Sequence, residues 1–248
     1  VKTLRNWSFK QFFKTGLSYI LFVTAIVSGF LLLYMVHTFL LINTIEVVYT
    51  KGSKQVDLVG IDLVKEQTML TLREEEIGQT LTKLNPYVES VTVQRVPPGQ
   101  VRLEVRTYIP YILLQTKEGY FLLADNGTVL EKTREPIKGY PVMKYYQNFN
   151  YLATQAGNTL AYQDILLAIS FLKQLKGYGI VIKTIDIAGF HMIRLVSDKE
   201  KEYLFTTEKE ISAQRYQLDT LLKAIAREGE DYTLIDVRFD KPIYQPNK

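Results

Sequence analysis

From Thr15 to Ile45 the sequence carries no Asp, Glu, Lys or Arg. The core of this stretch, Gly16 to Ile42, is a run of Leu, Ile, Val, Phe, Tyr and small residues, with His37 as its one imidazole. Crossing the roughly 30 Å hydrocarbon core of a bilayer takes about 20 apolar residues as a helix. The run is therefore long enough to span with some tilt. A cleavable signal peptide has a shorter apolar region, about 7–15 residues, followed by a small-residue cleavage site. Here the run leads into Leu40-Leu-Ile-Asn-Thr-Ile-Glu46, where no such site is present. Nothing polar marks an outward face, as the core helix of a soluble domain would require. Residues 16–42 are predicted to be a permanent transmembrane helix.

The flanks set its expected orientation. Before it lie Lys2, Arg5, Lys10 and Lys14 without an acidic residue; after it Glu46, Lys51 and Lys54 are mixed in sign. Excess Lys and Arg favours the cytoplasmic side. Residues 1–15 are thus expected to be a cytoplasmic basic tail, and everything past about Asn43 to lie outside. Lys2, Arg5, Trp7, Lys10 and Lys14 are the expected membrane-interface residues, with basic and aromatic side chains suited to lipid headgroups. The formal net charge of +4 is largely this tail, so a nucleic-acid surface is not implied.

About 200 residues follow, enough for one or two compact domains, and 47% apolar with 23% charged residues is an ordinary globular composition. The chain has no cysteine, which removes disulfides, zinc–thiolate sites and thiol nucleophiles.

Ile45 to Thr50 reads as a first strand closed by Lys51-Gly52-Ser53, whereas Val56 to Lys65 fits neither the helical nor the strand period. Thr71-Leu-Arg-Glu74 has the form of a capping box, Glu74 to Glu76 favour a helix N-terminus, and Ile77, Leu81 and Leu84 share one helical face before Asn85-Pro86. Three adjacent Glu at a helix start read as a solvated first turn, not a metal or acid–base site. Val91 and Val93 alternate with polar residues, Pro97-Pro98-Gly99 turns the chain, and Val101, Leu103 and Val105 alternate again. That pattern is a half-buried antiparallel hairpin.

An anchor followed by β-α-α-β-β resembles a POTRA domain. The string Pro86-Tyr-Val88 through Val91, Val93, Arg95, Pro98, Val101, Leu103 and Val105, with Pro110 beyond it, is similar to the pattern of the FtsQ/DivIB family of bacterial division proteins. Thr107-Tyr108 departs from the acidic–basic pair usual before that proline. Further on, Gly119 to Leu130 resembles the hairpin the family places after POTRA, with Asp125-Asn-Gly127 supplying a tight turn. Residues 131–157 read as a turn-rich loop with one short strand near Val142–Tyr146, and its tyrosines (Tyr140, Tyr145, Tyr146, Tyr151) as packing against the sheet sooner than as a binding platform. Tyr162, Ile165, Ile169, Leu172 and Leu175 mark an amphipathic helix. Three strands follow, at Ile180–Ile187, His191–Val196 and Lys201–Phe205. Thr207-Glu-Lys-Glu210 is a second capping-box form, opening a helix with Ile211, Leu218, Leu221, Leu222 and Ile225 on its inner side. The last strand, Thr233 to Asp240, is similar to the family's closing I-D-L-R-[YF]-D motif.

The expected fold is therefore α+β: one N-terminal transmembrane helix, a small POTRA domain over 43–109, a larger mixed α/β domain with an antiparallel sheet over 110–240, and a tail over 241–248. Catalysis is not expected. The chain has two histidines, and no G-x-S-x-G, H-E-x-x-H or Gly-rich phosphate loop occurs; no cofactor or metal is expected either. His191 reads as an ordinary, partly exposed side chain, and His37 as snorkelling to the outer interface. If the closing strand lies at a sheet edge, its unpaired backbone is a template for a partner's strand. The resemblance implies such use: FtsB/DivIC-like and FtsL-like bitopic coiled-coil partners, and through them the septal peptidoglycan synthase complex. The implied partner-binding residues are Ile235, Val237, Arg238, Phe239, Asp240, Lys241 and Ile243, with Arg238 facing an acidic partner residue and Phe239 an apolar one. The expected role is a non-enzymatic division scaffold at the septum. A POTRA-bearing assembly or chaperone module, and a membrane-tethered wall hydrolase with two carboxylates about 5–9 Å apart, are the alternatives.

Overall fold

The structure, a computed structural model, describes the backbone of residues 4–189 and 191–247 and the side chains from Leu21 onward. Lys2 lies outside the described residues, as do the side chains of Arg5, Trp7, Lys10 and Lys14. Helix α1 runs from Leu4 to Leu40. Its Leu21–Leu40 stretch has a mean hydropathy of 1.9, none of it is buried, and it is the one helix among the described residues long and apolar enough to cross a membrane. The hydroxyls of Thr24, Ser28 and Thr38 donate to helix carbonyls three or four residues back. This leaves no unmet donor on those side chains, as a hydrocarbon environment demands.

The chain divides into two compact units, one made of Val1–Val48, Leu58–Leu81 and Val91–Val105, the other of Tyr49–Asp57, Thr82–Ser90 and Arg106–Lys248. In the first unit β1 (Thr44–Tyr49), β2 (Val88–Val96) and β3 (Gln100–Thr107) belong to a three-stranded sheet in the order β1-β3-β2. Helix α2 (Asp62–Lys65) is a single turn, and α3 spans Glu74–Leu84. The order β-α-α-β-β holds. The expected capping box does not form. Thr71 is engaged with Thr68 instead, its hydroxyl accepting the Thr68 N–H at 3.0 Å, and α3 begins only at Glu74. Gly99 sits at φ +63°, and a Cβ there would stand 2.7 Å from the Leu41 carbonyl oxygen. Only glycine permits that backbone approach.

The second unit is built on a nine-stranded sheet in the order β12-β11-β10-β9-β8-β7-β4-β5-β6. Its strands are β4 (Pro110–Gln115), β5 (Tyr120–Ala124), β6 (Val129–Thr133), β7 (Val142–Tyr145), β8 (Ile182–Gly189), β9 (Met192–Ser197), β10 (Glu202–Phe205), β11 (Tyr232–Asp236) and β12 (Ile243–Pro246). Helices α4 (Gln163–Gly177) and α5 (Ile211–Glu228) supply the remaining apolar faces. The sheet is mixed: β7 pairs in parallel with both β4 and β8, and β10 pairs in parallel with β11. The β7–β8 and β10–β11 pairs follow the helical crossovers through α4 and α5, and the β4–β7 pair follows the connection through β5 and β6, since parallel neighbours need a long connection. The core joins Ile185, Leu195, Tyr203 and Ile235 from the strands to Ile165, Phe171 and Leu218 from the helices. Phe171 and Phe205 stack with centroids 3.7 Å apart. Tyr151 is buried and stacks on Phe121, and Tyr145 and Tyr146 pack half-buried against the core, so these tyrosines serve packing.

Two corrections concern the end of the chain. The closing strand stops at Asp236, not Asp240, and residues 243–246 of the expected tail form β12, antiparallel to β11. Strand β11 is thus an internal strand, and the sheet's end is β12.

Candidate partner-binding edge

The two ends of the large sheet are treated differently. At β6, the Val129 N–H donates to Asn158 O and the Gly157 N–H donates to Val129 O, each at 2.8 Å. Thr128 forms a bridge with Thr159, and Lys132 Nζ reaches Thr154 O at 2.7 Å. The loop after β7 therefore covers that edge. At the other end all four residues of β12 are exposed. Edge strands with unpaired backbone groups must be protected or used, and a proline such as Pro246 is tolerated in an edge strand.

The reason β11 ends early lies in Asp236. Its Oδ1 accepts the backbone N–H of Arg238 at 3.0 Å and Arg238 Nε at 2.9 Å, while Oδ2 accepts Nη2 at 2.7 Å. An aspartate bonded to the backbone two residues on makes an Asx-turn, and the chain bends away. Residues 237–240 then form a loop whose carbonyls are capped from elsewhere. Lys209 Nζ donates to Val237 O at 3.2 Å and to Phe239 O, and Gln217 Nε2 donates to Asp240 O at 2.6 Å. Lys209 and Gln217 are joined to each other at 2.6 Å. Sequence reading gave no sign of these two residues, because they lie 20 to 30 positions away with no local pattern.

The expected binding residues consequently separate. Ile235 and Val237 are fully buried, so their side chains face the core and not a partner. Arg238 is held on Asp236 within the chain, so its guanidinium already has a carboxylate partner before any outside one is met. Phe239 and Ile243 are about half exposed at 52% and 53%, and Asp240 and Lys241 are exposed. Phe239, Asp240, Lys209 and His191 line an open cleft of about 440 Å³ beside this edge. His191 Nδ1 lies 2.9 Å from Glu208, an exposed pair. Among the described residues no group of three or more metal-ligating side chains is gathered.

Arg238→Met is expected to destabilise the free protein by about 2 kcal/mol, since it leaves a nearly buried carboxylate without its cation. Thermal unfolding without any partner checks this; an unchanged midpoint would return Arg238 to the partner-facing role. The far end of β12 is pinned by Asp231. Its carboxylate accepts from Lys201 and from Asn247 Nδ2, which hold its pKa down to about 2, and Tyr244 bonds Glu230 at 2.8 Å. An unfolded aspartate titrates near 3.9. The clasp therefore contributes fully above about pH 4 and is lost as pH falls from there through about 2. The Asn247 amide, bonded to Asp231 O at 3.0 Å, should keep its hydrogen-exchange protection at pH 5 and lose it near pH 2; protection lost already between pH 6 and 5 would exclude Asp231 as the cause.

A family model described as "POTRA domain, FtsQ-type" matches residues 41–108. Two curated relatives, both named "Cell division protein DivIB", are similar to part of the chain's length. The protein of Clostridium botulinum strain Hall is 27% identical over 100 residues, covering 40% of this chain and 37% of that protein. That of strain Loch Maree is 24% identical over 120 residues, covering 46% of each. An FtsQ-type POTRA match within a chain that is similar to DivIB proteins supports a place in the FtsQ/DivIB family. The matched segments make up less than half of either DivIB relative. The β-α-α-β-β order occupies the segment matched as POTRA, and the nine strands of the larger sheet come after it in sequence.

Proposed function

We propose that this FtsQ/DivIB-family chain is a non-enzymatic division scaffold, anchored by α1 with its N-terminus in the cytoplasm. Its outer part binds FtsB/DivIC-like and FtsL-like bitopic partners and thereby recruits and regulates septal peptidoglycan synthesis. The observation that carries this reading is the uncovered β12 edge, set against the covered β6 edge of the same sheet. A partner segment would add beside Ile243–Pro246 and lay an apolar side chain against Phe239. Anchoring both chains in one membrane raises their effective concentration, so a short edge is sufficient.

Photo-crosslinkers placed singly at positions 239 to 246 of the full chain, in membranes of a dividing host, test it. The expected result is capture of a small bitopic coiled-coil protein from these positions and not from the β6 edge at 129–133. Capture of secreted or outer-membrane clients would favour an assembly role. Absence of capture at every position would remove the edge from the mechanism.

A further inference from the structure

The place where α1 ends is bonded to two loops of the first unit. The Met69 N–H donates to Leu40 O at 2.7 Å, and Leu41 pairs with Thr68. The N–H groups of Asn43 and Thr44 both donate to Gly99 O, at 2.7 and 3.2 Å. Arg95, which precedes the Pro97-Pro98 turn, donates through its guanidinium to Leu72 O and so ties the second loop to the first. Exit segment and loops are one hydrogen-bonded assembly.

Its composition is unusual for protein surface. Residues 38–45, 67–72 and 96–101 contain no Asp, Glu, Lys or Arg. Leu70 is 71% exposed although the turn that carries it is fixed by Leu72 N–H to Thr68 O at 2.9 Å. Pro97 and Pro98 are exposed as well. Charged groups begin just beyond, with Arg73 on Glu76 and Arg95 on Glu74. A charge-free floor, with charged groups of both signs beginning only at its margins, suits a surface lying at the headgroup and acyl boundary.

We propose that the 67–72 turn and the 96–99 turn rest on the bilayer leaflet from which α1 emerges, with Leu70 entering the acyl boundary. The occupant of this surface is lipid, because the surface is bonded to the end of a 20-residue apolar span that is itself unburied. The proposal rests on that span crossing a bilayer. It adds a second membrane contact, which fixes the first unit against the membrane and stops it swinging on a single covalent joint.

The absence of cysteine makes single-site labelling direct. The full chain carrying Leu70→Cys, Pro97→Cys, Phe30→Cys or Lys51→Cys is labelled with an environment-sensitive nitrobenzoxadiazole probe and reconstituted in phosphatidylcholine/phosphatidylglycerol vesicles. Nitroxide lipids then quench it from shallow or deep positions. Labels at 70 and 97 should lie within about 5–10 Å of the headgroup boundary and be quenched about twofold more by shallow than by deep nitroxides. The label at 30 should favour deep nitroxides, and that at 51 neither. Water-like signals at 70 and 97 with a deep signal at 30 would overturn the proposal and leave the span standing. A water-like signal at 30 would overturn both.

Discussion

Replacing Gln214 by leucine is expected to lower the thermal midpoint by about 10 °C, the largest loss of stability foreseen for a polar residue in this chain. Gln214 is fully buried on the first turn of α5. Its Oε1 accepts the Thr206 N–H at 3.0 Å, and its Nε2 donates to Thr206 O at 2.8 Å and Lys209 O at 2.9 Å. One side chain thus satisfies three backbone groups at the joint between β10 and α5. Leucine would orphan them at about 1–3 kcal/mol each where burial is complete. It would recover about 1–2 kcal/mol through its own apolar burial, leaving a net loss of about 3 kcal/mol. For a domain of this size each kcal/mol moves the midpoint by roughly 2–4 °C. Glu210→Ala, at the N-cap position that makes no side-chain capping bond, should shift stability by no more than about 0.5 kcal/mol. Melting both variants of the full chain in detergent decides between them, and equal losses would return the helix start to a capping box.

That contrast shows where the sequence was legible. Patterns that act locally were readable: the uncharged run that became α1, the alternation on either side of Pro97-Pro98-Gly99, and the Asp125-Asn-Gly127 turn, with Gly127 at φ +83°. Helices α4 and α5 followed from apolar spacing. What failed depended on groups far apart in sequence. Thr207 and Glu210 had the right letters for a cap, yet α5 begins only at Ile211, and the preceding joint is held by the distant Gln214 amide. Ile235, Val237 and Phe239 kept a strand's alternation past the point where Asp236 bends the chain. Strand β12 was hidden between Pro242 and Pro246, which argue against a strand except at an edge. The insertion of β7 between β4 and β8 rests on a long crossover, and nothing within Val142–Tyr145 announces its neighbours. For the candidate site, the span of residues 235–243 was legible, but which of them face outward was not, because a two-residue period cannot see an Asx-turn.

Phe239→Asp is expected to reduce capture of the partner at the β12 edge by roughly 30-fold or more. The ring is half exposed, with the Arg238 guanidinium 5.4 Å from its centroid, and the backbone beneath it is held by Lys209 and Gln217. An aromatic presented on a fixed backbone loses little conformational freedom on binding, which is the condition for a dominant anchor. Losing such an anchor costs about 2 kcal/mol or more, and the new carboxylate would also have to shed water beside Asp240 and Glu208. Folding should be nearly unaffected, because the side chain makes no buried contact that the variant removes. Lys209→Met supplies the matching test of presentation: it frees the Val237 and Phe239 carbonyls and lets the loop move while leaving the ring intact, so capture should fall by a smaller factor, about threefold to tenfold. If Phe239→Asp bound as well as the parent while Lys209→Met did not, the loop backbone and not the ring would be the contact, and recognition at this edge would rest on main-chain pairing alone.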